Sequence, residues 1–293
     1  MSDTKVAVVG SINLDVVLRV ERLALPGQTV RARSIDRALG GKGANQAVAA
    51  AQRGATGLIA QLGSDPDSHA LLIQLRSAGV GVTHVAASPG PSGRAHVCVD
   101  DKGENSIVVV AASNSHLDPH RVTSALTALG PAVVVVQCEV EDAVVRAVHG
   151  WADRCGVRLV FNPSPAPDYI DELPPIADPL VLNRGEAEQL AGPATTIEEL
   201  ALALGRRARS VVVTDGSHGA AILEGGQVRR VPAVEARVAD TTGAGDAFTG
   251  VVAAELAVNS TLHDAIVTAA AEAALVIQSP RAARLTAMPP RHE

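Results

Sequence analysis

The chain has 293 residues, 47% of them hydrophobic and 19% charged, with a formal net charge of −6. That composition excludes a disordered chain and supports a large buried core; with no basic field, it also excludes an electrostatic nucleic-acid or anionic-membrane binder. Only two Phe, one Trp and one Tyr are present, so the core must be built from Ala, Val and Leu, and base stacking on aromatic rings has little to work with.

Three scattered cysteines, Cys98, Cys138 and Cys155, read as reduced thiols and not as a disulfide framework or a zinc site. The opening Met1-Ser-Asp-Thr-Lys-Val is too polar for a signal peptide, and no apolar run reaches the ~18 residues of a membrane span. The expectation is a soluble, cytoplasmic protein.

Short β-branched runs recur along the chain: Val6 to Val9, Leu58 to Ala60, Val133 to Val136, Leu159 to Phe161, Leu180 to Leu182 and Val211 to Val213. Runs of this kind, buried on both faces, mark parallel strands. Ala-rich helical stretches alternate with them, over 43–53, 68–77, 118–129, 140–153, 186–190 and 196–208. The alternation predicts an α/β sheet with helices on both faces and right-handed crossovers. Two stretches break the rhythm. Residues 15–33 hold two strand-like runs, Val16 to Val20 and Thr29 to Arg33. Residues 94–110 read as a hairpin, Ala95 to Val99 and Ser106 to Val110 around Asp100-Asp-Lys-Gly-Glu104. These four strands are expected to form a small separate sheet, inserted in two pieces.

No P-loop, no dinucleotide G-x-G-x-x-G after the first strand, no protein-kinase H-R-D or D-F-G set and no G-x-S-x-G elbow occurs. The most informative string is Asp240-Thr-Thr-Gly-Ala-Gly-Asp-Ala-Phe248, running into a helical stretch over 249–257. Glycines ahead of a helix leave backbone N–H groups free at its positive end, which suits phosphate oxygens. A carboxylate there, Asp246, is an odd choice unless it accepts a proton; the plainer reading is an acidic residue favoured by the helix field. In Gly40-Gly-Lys-Gly-Ala-Asn-Gln46, Lys42 and Asn45 stand three apart at a helix start and can share a face, suited to sugar hydroxyls or a phosphate, or Lys42 is merely solvated. Asn13 and Asp15, two apart after the first strand, point to one face if the chain stays extended, or form an Asx turn. Glu139 leaves another strand and either binds a hydroxyl or caps a helix. Asn183 and Glu186 share a face at a helix start. Thr214-Asp-Gly-Ser-His-Gly219 looks like a loop over nucleotide phosphates.

Taken together, Gly10-Ser-Ile-Asn-Leu-Asp15, Gly40 to Gln46, Asn162-Pro-Ser-Pro-Ala-Pro167, Asn183-x-x-Glu186 with Glu188, and Asp240 to Phe248 resemble the ribokinase family, the sugar and nucleoside kinases of the PfkB type. The resemblance runs from Val6 to about Ser279. It implies a ribokinase-like three-layer α/β/α sandwich, one domain over 1–293, with a small β-sheet lid inserted as about 13–38 and 93–111. It further implies ATP-dependent phosphorylation of a sugar hydroxyl, foremost O5 of D-ribose, with other sugar or nucleoside kinases and a silent sugar- or nucleotide-binding regulator as alternatives.

By resemblance, Asn13, Leu14, Asp15, Gly41, Lys42, Gly43, Ala44, Asn45 and Glu139 hold the sugar. Asp246 touches it and takes the hydroxyl proton, and Gly243, Ala244 and Gly245 offer N–H groups to the transferring phosphoryl. Asn183, Glu186, Thr214, Asp215, Gly216, Ser217, His218, Gly219, Gly245, Asp246 and Ala270 border ATP, with Glu186 helping to organise Mg²⁺. The family's K⁺ site maps to Asp240, Thr242, Val276, Ser279 and Arg281. Arg281 stands where Gly is usual and Leu285 where a hydroxyl is usual, so weakened K⁺ activation is expected. The lid is expected to make a homodimer through the apolar strands Val16 to Val20 and Ala95 to Val99.

Overall fold

The computed structural model describes residues 4–279. Its main sheet has nine strands: β1 (Val6–Val9), β4 (Thr56–Leu62), β5 (Gly81–Ala87), β8 (Val133–Gln137), β9 (Arg158–Asn162), β10 (Ala177–Asn183), β11 (Ser210–Thr214), β12 (Ala220–Glu224) and β13 (Gln227–Val231). Their order is β13-β12-β11-β10-β9-β8-β1-β4-β5. All pairings are parallel except the last two, β11 with β12 and β12 with β13. The chain starts in the middle of the sheet at β1, adds β4 and β5 on one side, then crosses to β8 on the other. The carboxyl ends of β1 and β8 therefore flank a point where the winding reverses, the place where open α/β sheets hold ligands.

Among the described residues, eight α-helices cover the sheet: α1 (Lys42–Ala51), α2 (Ser68–Ser77), α3 (Pro119–Leu129), α4 (Asp142–Cys155), α5 (Arg184–Ala191), α6 (Ile197–Leu204), α7 (Ala244–Ala257) and α8 (Leu262–Val276). Alternation along the strands sorts them into two layers. Val6 and Val8 face one way and pack with α1, α2, α7 and α8. Ala7 and Val9 face the other way and pack with α3, α4, α5 and α6. Both layers are largely aliphatic, with Phe248 in one and Trp151, Phe161 and Tyr169 in the other. The result is the expected α/β/α sandwich.

A second sheet of four strands has the order β3-β2-β6-β7 and consists of β2 (Asn13–Val20), β3 (Ala32–Gly40), β6 (Gly93–Val99) and β7 (Asn105–Val110). It is the separate sheet read from the sequence, with one correction. The run Thr29 to Arg33 is mostly irregular. The chain turns at Leu25–Gln28, where the Gln28 N–H donates to the Leu25 carbonyl, and β3 begins only at Ala32 and runs into the double glycine. The apolar residue at 30 mimicked a strand alternation that the following segment carries. Salt bridges tie this sheet to the body. Arg37 of β3 and Arg94 of β6 both reach the buried Asp67 ahead of α2, at 3.0 and 3.2 Å.

The candidate active site

The crevice opens where β1, β8, β9, β10 and β11 end and where α1 and α7 begin. α7 starts at Ala244, five residues before the helical stretch read from the sequence, so Asp246 is its third residue. Gly243 precedes it with φ +80, a left-handed conformation that costs other residues but not glycine. The Ala244 N–H is already given to the Thr241 carbonyl at 3.2 Å. That bond closes a turn, whereas the N–H groups of Gly245 and Asp246 lie in a first turn that has no carbonyl of its own to offer them.

Asp246 is buried. Its Oδ2 accepts from Asn45 Nδ2 at 2.9 Å, and its Oδ1 from Gln46 Nε2 at 3.2 Å. Burial pushes its carboxyl above the ordinary carboxylate range. Lys42 and the two amide donors pull the other way, while Glu139 adds to the rise. The site thus holds a carboxylate of raised proton affinity that is still hydrogen-bonded as an anion.

Glu139 sits opposite. Its Oε2 accepts from Ser11 Oγ at 2.6 Å and from the Lys42 N–H at 2.9 Å. It therefore pins the β1 exit to the start of α1 as well as facing the crevice. Asn13 and Asp15 are buried on β2, at the root of the small sheet. Asn13 Oδ1 accepts from Asn114 Nδ2 at 2.8 Å, and Asn114 Oδ1 takes the Ile12 N–H at 3.0 Å. Gly40 lies against the Asp15 carboxylate, so β3 of the small sheet approaches without a side chain in between.

At the β10 exit, Asn183 and Glu186 bind each other's backbone in a reciprocal cap, at 2.9 and 3.0 Å. This capping role was not read from the sequence, which placed the two only on one face of a helix start. The two side chains line a cavity of about 190 Å³ with Lys42, Asn162, Thr214, Gly243, Gly245 and Asp246. The loop of Asp215, Gly216, Ser217, His218 and Gly219 follows β11. Arg184 holds it through Asp215 at 3.2 Å, and His218 faces the same carboxylate at 3.3 Å. Ala270 lies in α8, half-buried against the core. The Asp240 carboxylate accepts the Thr242 N–H at 2.9 Å, and the Ala239 and Asp240 N–H groups both donate to the Ile277 carbonyl. Asp240, Thr242, Val276 and Ser279 are therefore neighbours; Arg281 and Leu285 lie outside the described residues. A larger cavity of about 320 Å³ lies beside them, lined by Val48, Ala49, Leu275 and Val276 together with Asn45, Thr242, Gly243 and Glu272. Among the described residues no cluster of His, Cys, Asp and Glu could alone hold a metal ion, and no helix is long and apolar enough to cross a membrane.

Sequence reasoning passed over four partners. Ser11 and Gln46 lay inside strings already singled out, and Asn162 opened a third. Asn114 had no local signal, being 101 residues from the side chain it holds.

A doubly wound sheet, a crevice at its switch point and a buried carboxylate at a glycine-led helix start define a phosphotransferase of the sugar-kinase kind. The pfkB family carbohydrate kinase model matches residues 3–287, and the chain belongs to that family. It is 34% identical over 284 residues to the bifunctional ribokinase/ribose-5-phosphate isomerase A of Fructilactobacillus sanfranciscensis, covering 94% of this chain but about half (53%) of that protein. It is 30% identical over 278 residues to the ribokinase of Lactococcus lactis subsp. lactis, covering 94% of this chain and 91% of the relative. The structure of Arabidopsis thaliana ribokinase complexed with ribose and ATP superposes with a TM-score of 0.81 at 29% identity, over 95% of this chain and 94% of that one.

Proposed function

We propose that the chain transfers the γ-phosphoryl group of ATP to a sugar hydroxyl, with O5 of D-ribose as the acceptor and Asp246 as the base. The observation that carries this reading is the buried Asp246 carboxylate, held by two amide donors, one residue from the free N–H of Gly245. The similarity to proteins named ribokinases supports the choice of sugar.

In this reading the sugar lies between β2 and the start of α1, against Asn13, Asp15, Lys42, Asn45 and Glu139. As the hydroxyl oxygen bonds to the γ-phosphorus, its proton passes to Asp246 and the bond to the ADP oxygen breaks. Desolvation makes Asp246 a stronger base than an exposed carboxylate. Positive potential at the first turn of α7 and on Lys42 meets charge on the transferring group, where positioning and electrostatics dominate the rate. Glu186 and Asn183 line the nucleotide cavity with the hard oxygen donors that Mg²⁺ prefers. Bound there with ATP, the ion would neutralise phosphate charge. The oxygens of Asp240, Thr242 and Val276 suit a monovalent cation, and we place weakened K⁺ activation on Arg281.

We assign dimerisation to the lid, on a different strand from the ones read in the sequence. Val16, Val20 and Ala95 are buried within the protomer, whereas β7 is exposed along its whole length, with Val108 63% accessible. An apolar edge strand needs a cover, and a two-fold copy is the commonest one. The three thiols, all free, suit a reducing cytoplasm.

A coupled ADP-release screen over ribose, deoxyribose, fructose and nucleosides tests the function, with Asp246→Asn alongside. Ribose should be preferred, and the folded variant should lose about 10²-fold or more in kcat. Near-normal turnover by Asp246→Asn would remove the base from the mechanism.

A further inference from the structure

We propose that Gln46 and Asn162 form a carboxamide relay that aims Asp246 and keeps it ionised, making both positioning residues for phosphoryl transfer. The inference rests on the reading of Asp246 as the base.

The relay begins in the main chain. Asn162, the last residue of β9, donates from Nδ2 to the Val181 carbonyl of β10 at 2.9 Å. A backbone carbonyl only accepts, so the amide of Asn162 has one permitted orientation. Its oxygen must face Gln46. That oxygen accepts from Gln46 Nε2 at 3.1 Å, and the same nitrogen donates to Asp246 Oδ1 at 3.2 Å. An NH₂ group has two hydrogens, and both are used. Turning the Gln46 amide over would place its oxygen against two other oxygens, so its orientation is fixed as well.

Gln46 is fully buried, and its Oε1 has no partner among the described residues. An orphaned buried acceptor is a cost that a space-filling residue would avoid. The donor on the other atom offsets it. Asn45 supplies the second donor, to Oδ2, from the exposed side of the same helix turn. Thus each carboxylate oxygen receives one amide hydrogen, and the carboxylate plane cannot rotate without losing one. The charged groups facing Asp246 are Lys42 on α1 and Glu139 after β8, with opposed effects. The relay therefore favours the ionised carboxylate, the form that can accept a proton.

The test is the pH dependence of kcat/KM for Gln46→Met, which keeps length without a donor, measured beside Asp246→Asn. With one donor lost, the acid limb should move up by about one pH unit, the displacement that one hydrogen bond to a buried carboxylate produces. With the carboxylate plane no longer held, kcat on the pH plateau should fall about tenfold, while the KM for sugar stays within about threefold. Asn162→Ala should move the limb in the same direction, and the double variant should move it no further than Gln46→Met alone. An acid limb superimposable on the parent's overturns the relay; additive shifts in the double variant overturn the link through Asn162. If Gln46→Met does not fold, Asn162→Ala carries the test, and an unmoved limb in it overturns the proposal. An active Asp246→Asn would instead refute the base assignment itself.

Discussion

Replacing Gly250 by Ala adds one methyl group at the seam between α1 and α7. Gly250 is in the second turn of α7, four residues after Asp246, and the added Cβ would lie 2.3 Å from the Gln46 carbonyl oxygen and 2.8 Å from Ala49 Cβ. Neither neighbour can swing away, because one is backbone and the other a methyl on a packed helix. The helices must separate by about 1 Å to restore ordinary contact. The same seam carries the bonds from Asn45 and Gln46 to Asp246, at 2.9 and 3.2 Å. Both would open past hydrogen-bonding distance, and the Asp246 carboxylate would lose its two donors together.

Two opposed terms decide stability. Ala favours a helix interior over Gly by about 1 kcal/mol, while overpacking a close helix pair costs about 1–3 kcal/mol. The balance is a loss of about 1 kcal/mol, a fall in Tm of a few degrees. Activity should fall more, by about 10²-fold in kcat/KM, the usual consequence of a 1 Å misplacement of a reacting group. Calorimetry and the ADP-release assay give the two numbers. A Gly250→Ala protein that is more stable and fully active would show that helix propensity wins, and that the seam does not set the position of Asp246.

Burial lowers His149 from its ordinary 6.5 to about 4, against the Val145 carbonyl bond, so on acidification the unfolded chain takes up this proton first. Stability should be full above pH 6.5 and decline toward pH 4, by about 2 kcal/mol at pH 5; denaturant titrations at pH 7.5 and 5 should show that loss, largely absent in His149→Leu. Asp67→Asn removes the carboxylate shared by Arg37 and Arg94, and amide exchange in β3 and β6 should rise about tenfold with β1 and β8 unchanged. Light scattering at micromolar concentration should give twice the monomer mass, and a charged residue at Val108 should halve it; a parent that is already a monomer leaves β7 without a partner. Turnover titrated with KCl against NaCl at fixed ionic strength should rise less than about tenfold. A larger rise specific to K⁺ would show that Arg281 does not weaken the cation site.

The central strands β1, β8, β9, β10 and β11 were legible because a parallel strand buried on both faces must be apolar throughout. β5, β12 and β13 were not named. β5 is half-exposed, with Gly, Thr and His among its seven residues. β12 and β13 form a hairpin around Gly225-Gly226, a signal that was present and unused. In the site, residues close in sequence to a glycine string or a strand exit were found, since local geometry fixes which face they share. The relay was not, because it is made of pairs 200 and 116 residues apart. Spacing within α1 places Asn45 and Gln46 about 100° apart around the helix; it cannot say that both arcs meet α7. That follows only once Gly250 lets the two helices touch, and it turns Gln46 from an amide one position past Asn45 into a donor to Asp246.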